Sequence, residues 1–78
     1  MLDKLIGPTA AAFHVAPETL DADTDFRRIG IWDSFAALAL VYGIEDAFGV
    51  LIGYGALHEA KTLGELAALI EHTLKHRP

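Results

Sequence analysis

Along most of the chain the apolar positions recur at helical spacing. Residues 2–14 carry Leu2, Leu5, Ile6 and Phe13 with alanines between them, which predicts a helix. Pro8 falls inside it, and a proline suits a first turn better than an interior, so the helix is expected to kink there. Residues 34–48 hold a second helix, with Phe35, Leu38, Val41, Tyr42, Glu45 and Phe48 on one period. Ala36, Ala37, Ala39, Leu40 and Ile44 fill most remaining positions, so this helix is apolar nearly all round. Such a helix lies at the centre of its fold or is covered by a partner. The last helix reads most plainly. Thr62 and Glu65 have capping-box spacing, Leu63, Leu66, Leu69, Ile70 and Leu74 form the apolar stripe, and Lys75 and Arg77 suit the negative end of the dipole.

Between the periodic segments lie two interruptions. Residues 15–33 read as a long loop with four acids in "VAPETLDADTDF" and isolated apolar anchors at Val15, Leu20 and Phe26. Loops of this length inside a small domain are uncommon and often functional. Residues 49–55 are a glycine-rich turn, with a strand conceivable at 50–52 and a short helix at 56–60. The pattern predicts an all-α bundle: a first helix, a long loop, a central helix, a short third helix and an amphipathic fourth.

Size and charge narrow the function. A chain of 78 residues makes one small domain, residues 1–78. Area scaling gives it about 4,600 Å² of folded surface, which leaves little interior for an enclosed catalytic cleft, so no catalytic residue is expected. The hydrophobic share is 53%, and the mean hydropathy is +0.33. Values this high in a small domain point to exposed apolar surface and hence to a partner. Eleven acids against 6 basic residues disfavour nucleic acid. No cysteine is present, which removes disulfides and thiolate metal sites. The start of the chain lacks signal-peptide character, and no uncharged run, residues 34–44 among them, is long enough to span a bilayer. A soluble, cytoplasmic, monomeric protein is expected.

The stretch "GIWDSF", residues 30–35, holds the candidate chemistry. Asp33 or Ser34 suits an N-cap, because a side-chain oxygen there accepts from orphaned backbone N–H groups. A helix N-terminus also favours an anionic group, so Ser34 is either a cap residue or a point of modification. As a nucleophile in its own right it would need an adjacent base. No histidine is near it in sequence, and the Gly-x-Ser-x-Gly elbow is absent. "DADTD" opens like an EF-hand loop, but Phe26 and Trp32 occupy the glycine and glutamate positions, so it reads as a solvated acidic loop. His72 and His76 lie four apart, at best half a zinc site, and no metal is expected. Trp32 is expected to anchor the loop end beside Asp33, and partners are expected to reach it too.

In "TDFRRIGIWDSF", "ALALVYGIEDAFGVLI" and "KTLGEL" the chain resembles the acyl carrier protein family and its peptidyl and aminoacyl relatives. The likeness covers most of the chain and is weakest before residue 13. It implies a four-helix bundle with a long loop between the first two helices and a short third helix. It implies a 4′-phosphopantetheine arm on Ser34, added from coenzyme A by a phosphopantetheinyl transferase, with Asp33 assisting through the transferase's metal centre. The arm would carry an acyl or aminoacyl thioester, loaded by a ligase and passed to downstream transferases. By the same analogy Trp32, Phe35, Ala36, Ala39, Tyr42, Glu45 and Asp46 form the partner face, and Leu38, Val41, Ile52, Leu57 and Ala60 contact the arm or its cargo. The spacing from Gly30 to Ser34 is one residue longer than the commonest form, and Trp-Asp-Ser resembles carriers of discrete, specialised pathways. Phe35, in place of a leucine or methionine, is expected to face the core. The partner face is apolar at its start and acidic only at Glu45 and Asp46, so docking should depend weakly on salt. The reading from a different class is a small helical interaction module with an unmodified serine.

Overall fold

The computed structural model describes residues 2–29 and 32–76. Four α-helices follow in order: α1 Leu2–Phe13, α2 Ser34–Phe48, α3 Tyr54–Glu59 and α4 Leu63–His76. Two 3₁₀ turns, Pro17–Thr19 and Phe26–Arg28, punctuate the long loop. No strand occurs among the described residues, and 50–52 has no regular secondary structure. The short helix starts at Tyr54, two residues earlier than its spacing predicts, with Gly53 as its N-cap. The folded surface is 4770 Å².

Helix α1 runs through Pro8 without a break. Its C-terminus closes in a left-handed turn at His14, φ 56°, and the Val15 N–H donates to the Ala10 carbonyl at 3.1 Å. Helix α1 packs on α2, and a Cβ on Gly43 would meet the Pro8 Cβ at 3.4 Å. Gly43 thus lets the proline side of α1 lie close to α2. Gly49, φ 73°, ends α2 in the same left-handed manner, with its N–H on the Glu45 carbonyl at 2.8 Å.

The core draws on every helix. Leu5, Leu40, Ile44, Leu57, Leu63, Leu66 and Ile70 are fully buried together with Phe26 from the loop. On α4 the expected stripe is inside, with Leu63, Leu66 and Ile70 buried and Leu69 and Leu74 half-buried. Arg77 lies outside the described residues. On α2 the buried stripe is Ala37, Leu40, Val41 and Ile44, spaced i, i+3, i+4, i+7. Phe35 is two residues from Ala37 and so nearly opposite on the helix. It is 85% exposed, which corrects the expectation that it faces the core. Ala37 takes the buried position on that side of the helix, and the phenyl ring is left outside.

The long loop is tied down by three devices. Asp21 forms a closed turn, its Oδ1 accepting from the Asp23 N–H at 2.9 Å and from the Thr24 hydroxyl at 3.1 Å. Asp25 caps the second 3₁₀ turn through the Arg27 N–H at 3.0 Å and sits 3.7 Å from Arg27 and 3.5 Å from Arg28. The loop backbone also docks on α4, where Leu63 N–H meets the Thr24 carbonyl and Gly64 N–H the Ala22 carbonyl, each at 2.9 Å. A Cβ on Gly64 would stand 3.0 Å from that Ala22 oxygen, so the docking needs glycine there.

Candidate functional site

The loop delivers its end to α2 through one aromatic cluster. Trp32 stacks on Phe13 at 6.0 Å between centroids and meets the buried Phe26 edge-on at 5.6 Å. This holds the residue before Asp33 against both α1 and the loop. Gly30 and Ile31, and with them the spacing from Gly30 to Ser34, lie outside the described residues. Asp33 is the N-cap: its Oδ1 accepts from the Ala36 N–H at 2.9 Å, and its carbonyl accepts from the Ala37 N–H at 3.0 Å.

Ser34 is therefore the first residue of α2. It is exposed, and it is the only serine in the chain. Among the described residues no acceptor meets the N–H of Ser34 or Phe35, two of the four positions that a helix start leaves without internal partners. An oxygen-linked anion on Ser34 would sit beside these donors and at the positive end of the α2 dipole.

Two grooves flank this point. One, of about 470 Å³, is lined by Trp32, Asp33, Ser34, Ala37, Tyr54 and His58. The other, of about 380 Å³, runs on the α1 side past Ala12, Phe13, His14, Asp33 and Phe35. The fold thus brings His58 to the Ser34 groove and His14 to its neighbour, a proximity that sequence spacing did not reveal. Among the described residues no hydrogen bond joins Ser34 to either imidazole.

The candidate partner residues divide. Phe35, Ala39, Tyr42, Glu45 and Asp46 are exposed on α2, whereas Ala36 is half-buried against the α1-side groove. Of the residues expected around the arm, Leu38, Val41 and Ile52 line one apolar groove of about 330 Å³ with Tyr42, Glu45, Leu51 and Tyr54. Leu57 is instead a core residue, and Ala60 lines a shallow groove between α3 and α4. Sequence reasoning missed Tyr54 and Leu51, which are 47% and 67% exposed. Large apolar side chains in a glycine-rich turn were the available signal.

Elsewhere, the rings of His72 and His76 lie 4.3 Å apart between centroids, tilted by 38°, and no cluster suited to a metal ion occurs among the described residues. No described helix is long and apolar enough to cross a membrane.

The site fits a phosphodiester-linked arm: one exposed serine, unengaged N–H donors beside it and an open groove leading away. No curated protein matches the chain in sequence. Residues 3–70 match the family model for the phosphopantetheine attachment site. The match spans α1, α2 and α3 and runs well into α4, so the chain belongs to this family of carrier domains, which hold 4′-phosphopantetheine covalently on a serine.

Proposed function

We propose that residues 1–78 act as one carrier domain and that Ser34 is its point of attachment. The observation that carries this reading is that the chain's only serine is exposed at the open start of α2. A phosphopantetheinyl transferase would use coenzyme A as donor. The Ser34 Oγ bonds to the phosphorus that carries the pantetheine, the P–O bond to 3′,5′-ADP breaks, and the hydroxyl proton passes to a base of the transferase. Asp33 keeps Ser34 outward by capping α2, and its second carboxylate oxygen is left to meet the transferase's metal. The arm's thiol supplies the reactive atom, holding an acyl or aminoacyl group as a thioester. The domain itself catalyses nothing. It presents the group to a loading ligase and to downstream transferases.

Docking on those enzymes would use Phe35, Ala39 and Tyr42, with Trp32 and the half-buried Ala36 at the edge and Glu45 and Asp46 at the far end. The apolar start of this face supports a partner with a matching apolar groove and a short basic rim. Cargo of modest size would rest against Leu38, Val41 and Ile52.

The test is mass measurement after incubation with a broad-specificity transferase and coenzyme A. The wild-type chain should gain one arm and Ser34→Ala none. An unloaded wild type, under conditions that load other carriers, would leave a helical interaction module as the reading. For docking, Phe35→Ala should weaken transferase binding about tenfold or more, the loss expected for an apolar anchor. Added salt should change binding little, and a collapse with salt would refute an apolar interface.

A further inference from the structure

We propose that the last turns of α4 carry a two-imidazole site for a late first-row divalent cation, with His72 and His76 as its ligands. The site is separate from Ser34 and does not depend on whether that serine is loaded.

The spacing alone makes this pair half a zinc site, and the structure adds its geometry. Residues four apart on a helix stand one above the other. Here the two rings lie 4.3 Å apart between centroids, tilted by 38°. Two imidazoles that bind one metal side by side, each through a nitrogen at about 2.0 Å, have their centroids roughly 4–5 Å apart. The rings therefore already stand at the separation of a chelating pair. Both are exposed, while Leu66, Ala67 and Ile70 fasten α4 to the core. A cation held by one ring meets the second ligand on a backbone that is already ordered.

Charge points the same way. Among the described residues α4 ends at His76, so the pair sits where the last carbonyls of a helix lack internal partners and the dipole favours a cation. Lys75 is the competing positive charge beside the pair, and Glu71 holds its ammonium at 3.3 Å. The donor set narrows the metal. Imidazole suits zinc, copper and nickel, whereas calcium and magnesium take oxygen ligands. The chain has no cysteine, and no group of three or more possible ligands occurs among the described residues. The remaining coordination positions thus fall to water or to an exchangeable ligand. With two protein ligands there is little imposed geometry to reorder the intrinsic affinities, so Cu(II) should bind more tightly than Ni(II) or Zn(II).

The test titrates the untagged full chain with the chlorides of copper(II), nickel(II) and magnesium, followed by calorimetry and by ¹H–¹⁵N NMR. One copper ion per chain is expected, with paramagnetic broadening that begins at the amides around His72 and His76. Nickel should bind more weakly, and magnesium should leave these amides unmoved. His72→Ala and His76→Ala should each weaken copper binding tenfold or more, because one ligand of two is lost. His14→Ala and His58→Ala should leave it unchanged. All four histidines are exposed, so these variants keep the core intact. Saturating nickel should also raise the thermal midpoint of the wild type and not that of His72→Ala, since only the folded chain holds the pair at this spacing. Wild-type affinity in both α4 variants, or broadening that begins at His14, His58 or the acids of the long loop, would overturn the site. So would a wild type that binds no copper, or a midpoint that nickel does not move.

Discussion

Helices α2 and α4 begin with the same chemistry and end up in opposite conditions. At α4 every early N–H has a protein acceptor: Leu63 on Thr24, Gly64 on Ala22, Glu65 on the Thr62 hydroxyl and Leu66 on the Thr62 carbonyl. The Glu65 carboxylate closes the box by accepting from the Thr62 N–H at 3.2 Å. At α2 the Asp33 cap satisfies Ala36 and Ala37 and stops there. The long loop supplies α4 with backbone acceptors from Ala22 and Thr24, and α2 with its last residue, Asp33, and an aromatic anchor. A closed start is a structural joint. An open one, carrying an exposed serine, remains available to another molecule. The helix faces repeat the contrast, since α4 buries one clear stripe while α2 buries its small stripe and leaves Phe35, Leu38 and Tyr42 in solvent.

The largest effect should come from testing those two α2 stripes against each other. Leu40→Ala removes a fully buried side chain and should cost about 2–5 kcal/mol in denaturant unfolding. Leu66→Ala on α4 belongs to the same class. Phe35→Ala and Tyr42→Ala should each stay within about 0.5 kcal/mol of wild type. A large loss at Phe35 would mean that the ring packs inward after all and that α2 has no spare apolar face.

This pair also marks where the sequence could be read and where it could not. The α4 stripe is legible because polar residues outline it, so one period accounts for its leucines. On α2 nearly every position is apolar, and periodicity offers two faces of similar weight. The face through Phe35, Leu38 and Tyr42 carries the larger side chains, yet packing chooses Ala37, Leu40, Val41 and Ile44, because α1 comes close at Gly43 and Pro8. That choice depends on interhelical distance, which no local pattern encodes. The position of Ser34 at the helix start was legible, since Asp33 and the apolar run mark the boundary. The neighbours from α3 were not: Tyr54 and His58 reach the groove only through the path of a glycine-rich turn. Nor was the docking of Ala22 and Thr24 on α4, a backbone contact between distant segments without a side-chain signature.

The closed joint itself can be forced open. Gly64→Ala puts a methyl group 3.0 Å from the Ala22 oxygen and 3.3 Å from its Cβ. The neighbouring atom is backbone, so the loop must shift, and the change should cost about 1–3 kcal/mol as overpacking does. Amide exchange should quicken at Leu63 and Gly64 first. Exchange as slow as in the wild type at both would show that the loop gives way freely and that the α4 start is not the rigid joint described.

The smallest difference lies between the two caps, and it separates structure from function most cleanly. Thr62→Ala and Asp33→Ala each remove a side-chain acceptor at a helix start, and each should lower stability by about 1 kcal/mol. By stability alone the two helix starts would look alike. Loading should tell them apart. Thr62→Ala leaves Ser34 and its groove untouched, so the transferase should modify it at the wild-type rate. Asp33→Ala removes both the cap that holds Ser34 outward and the free carboxylate oxygen beside it, so its rate should fall about tenfold or more, a loss of at least 1.4 kcal/mol in the transition state. Asp33→Asn preserves the capping oxygen but not the charge. If it loads as slowly as Asp33→Ala, the carboxylate acts in the transfer itself. If it loads at the wild-type rate, the contribution of Asp33 is wholly the geometry of the α2 start.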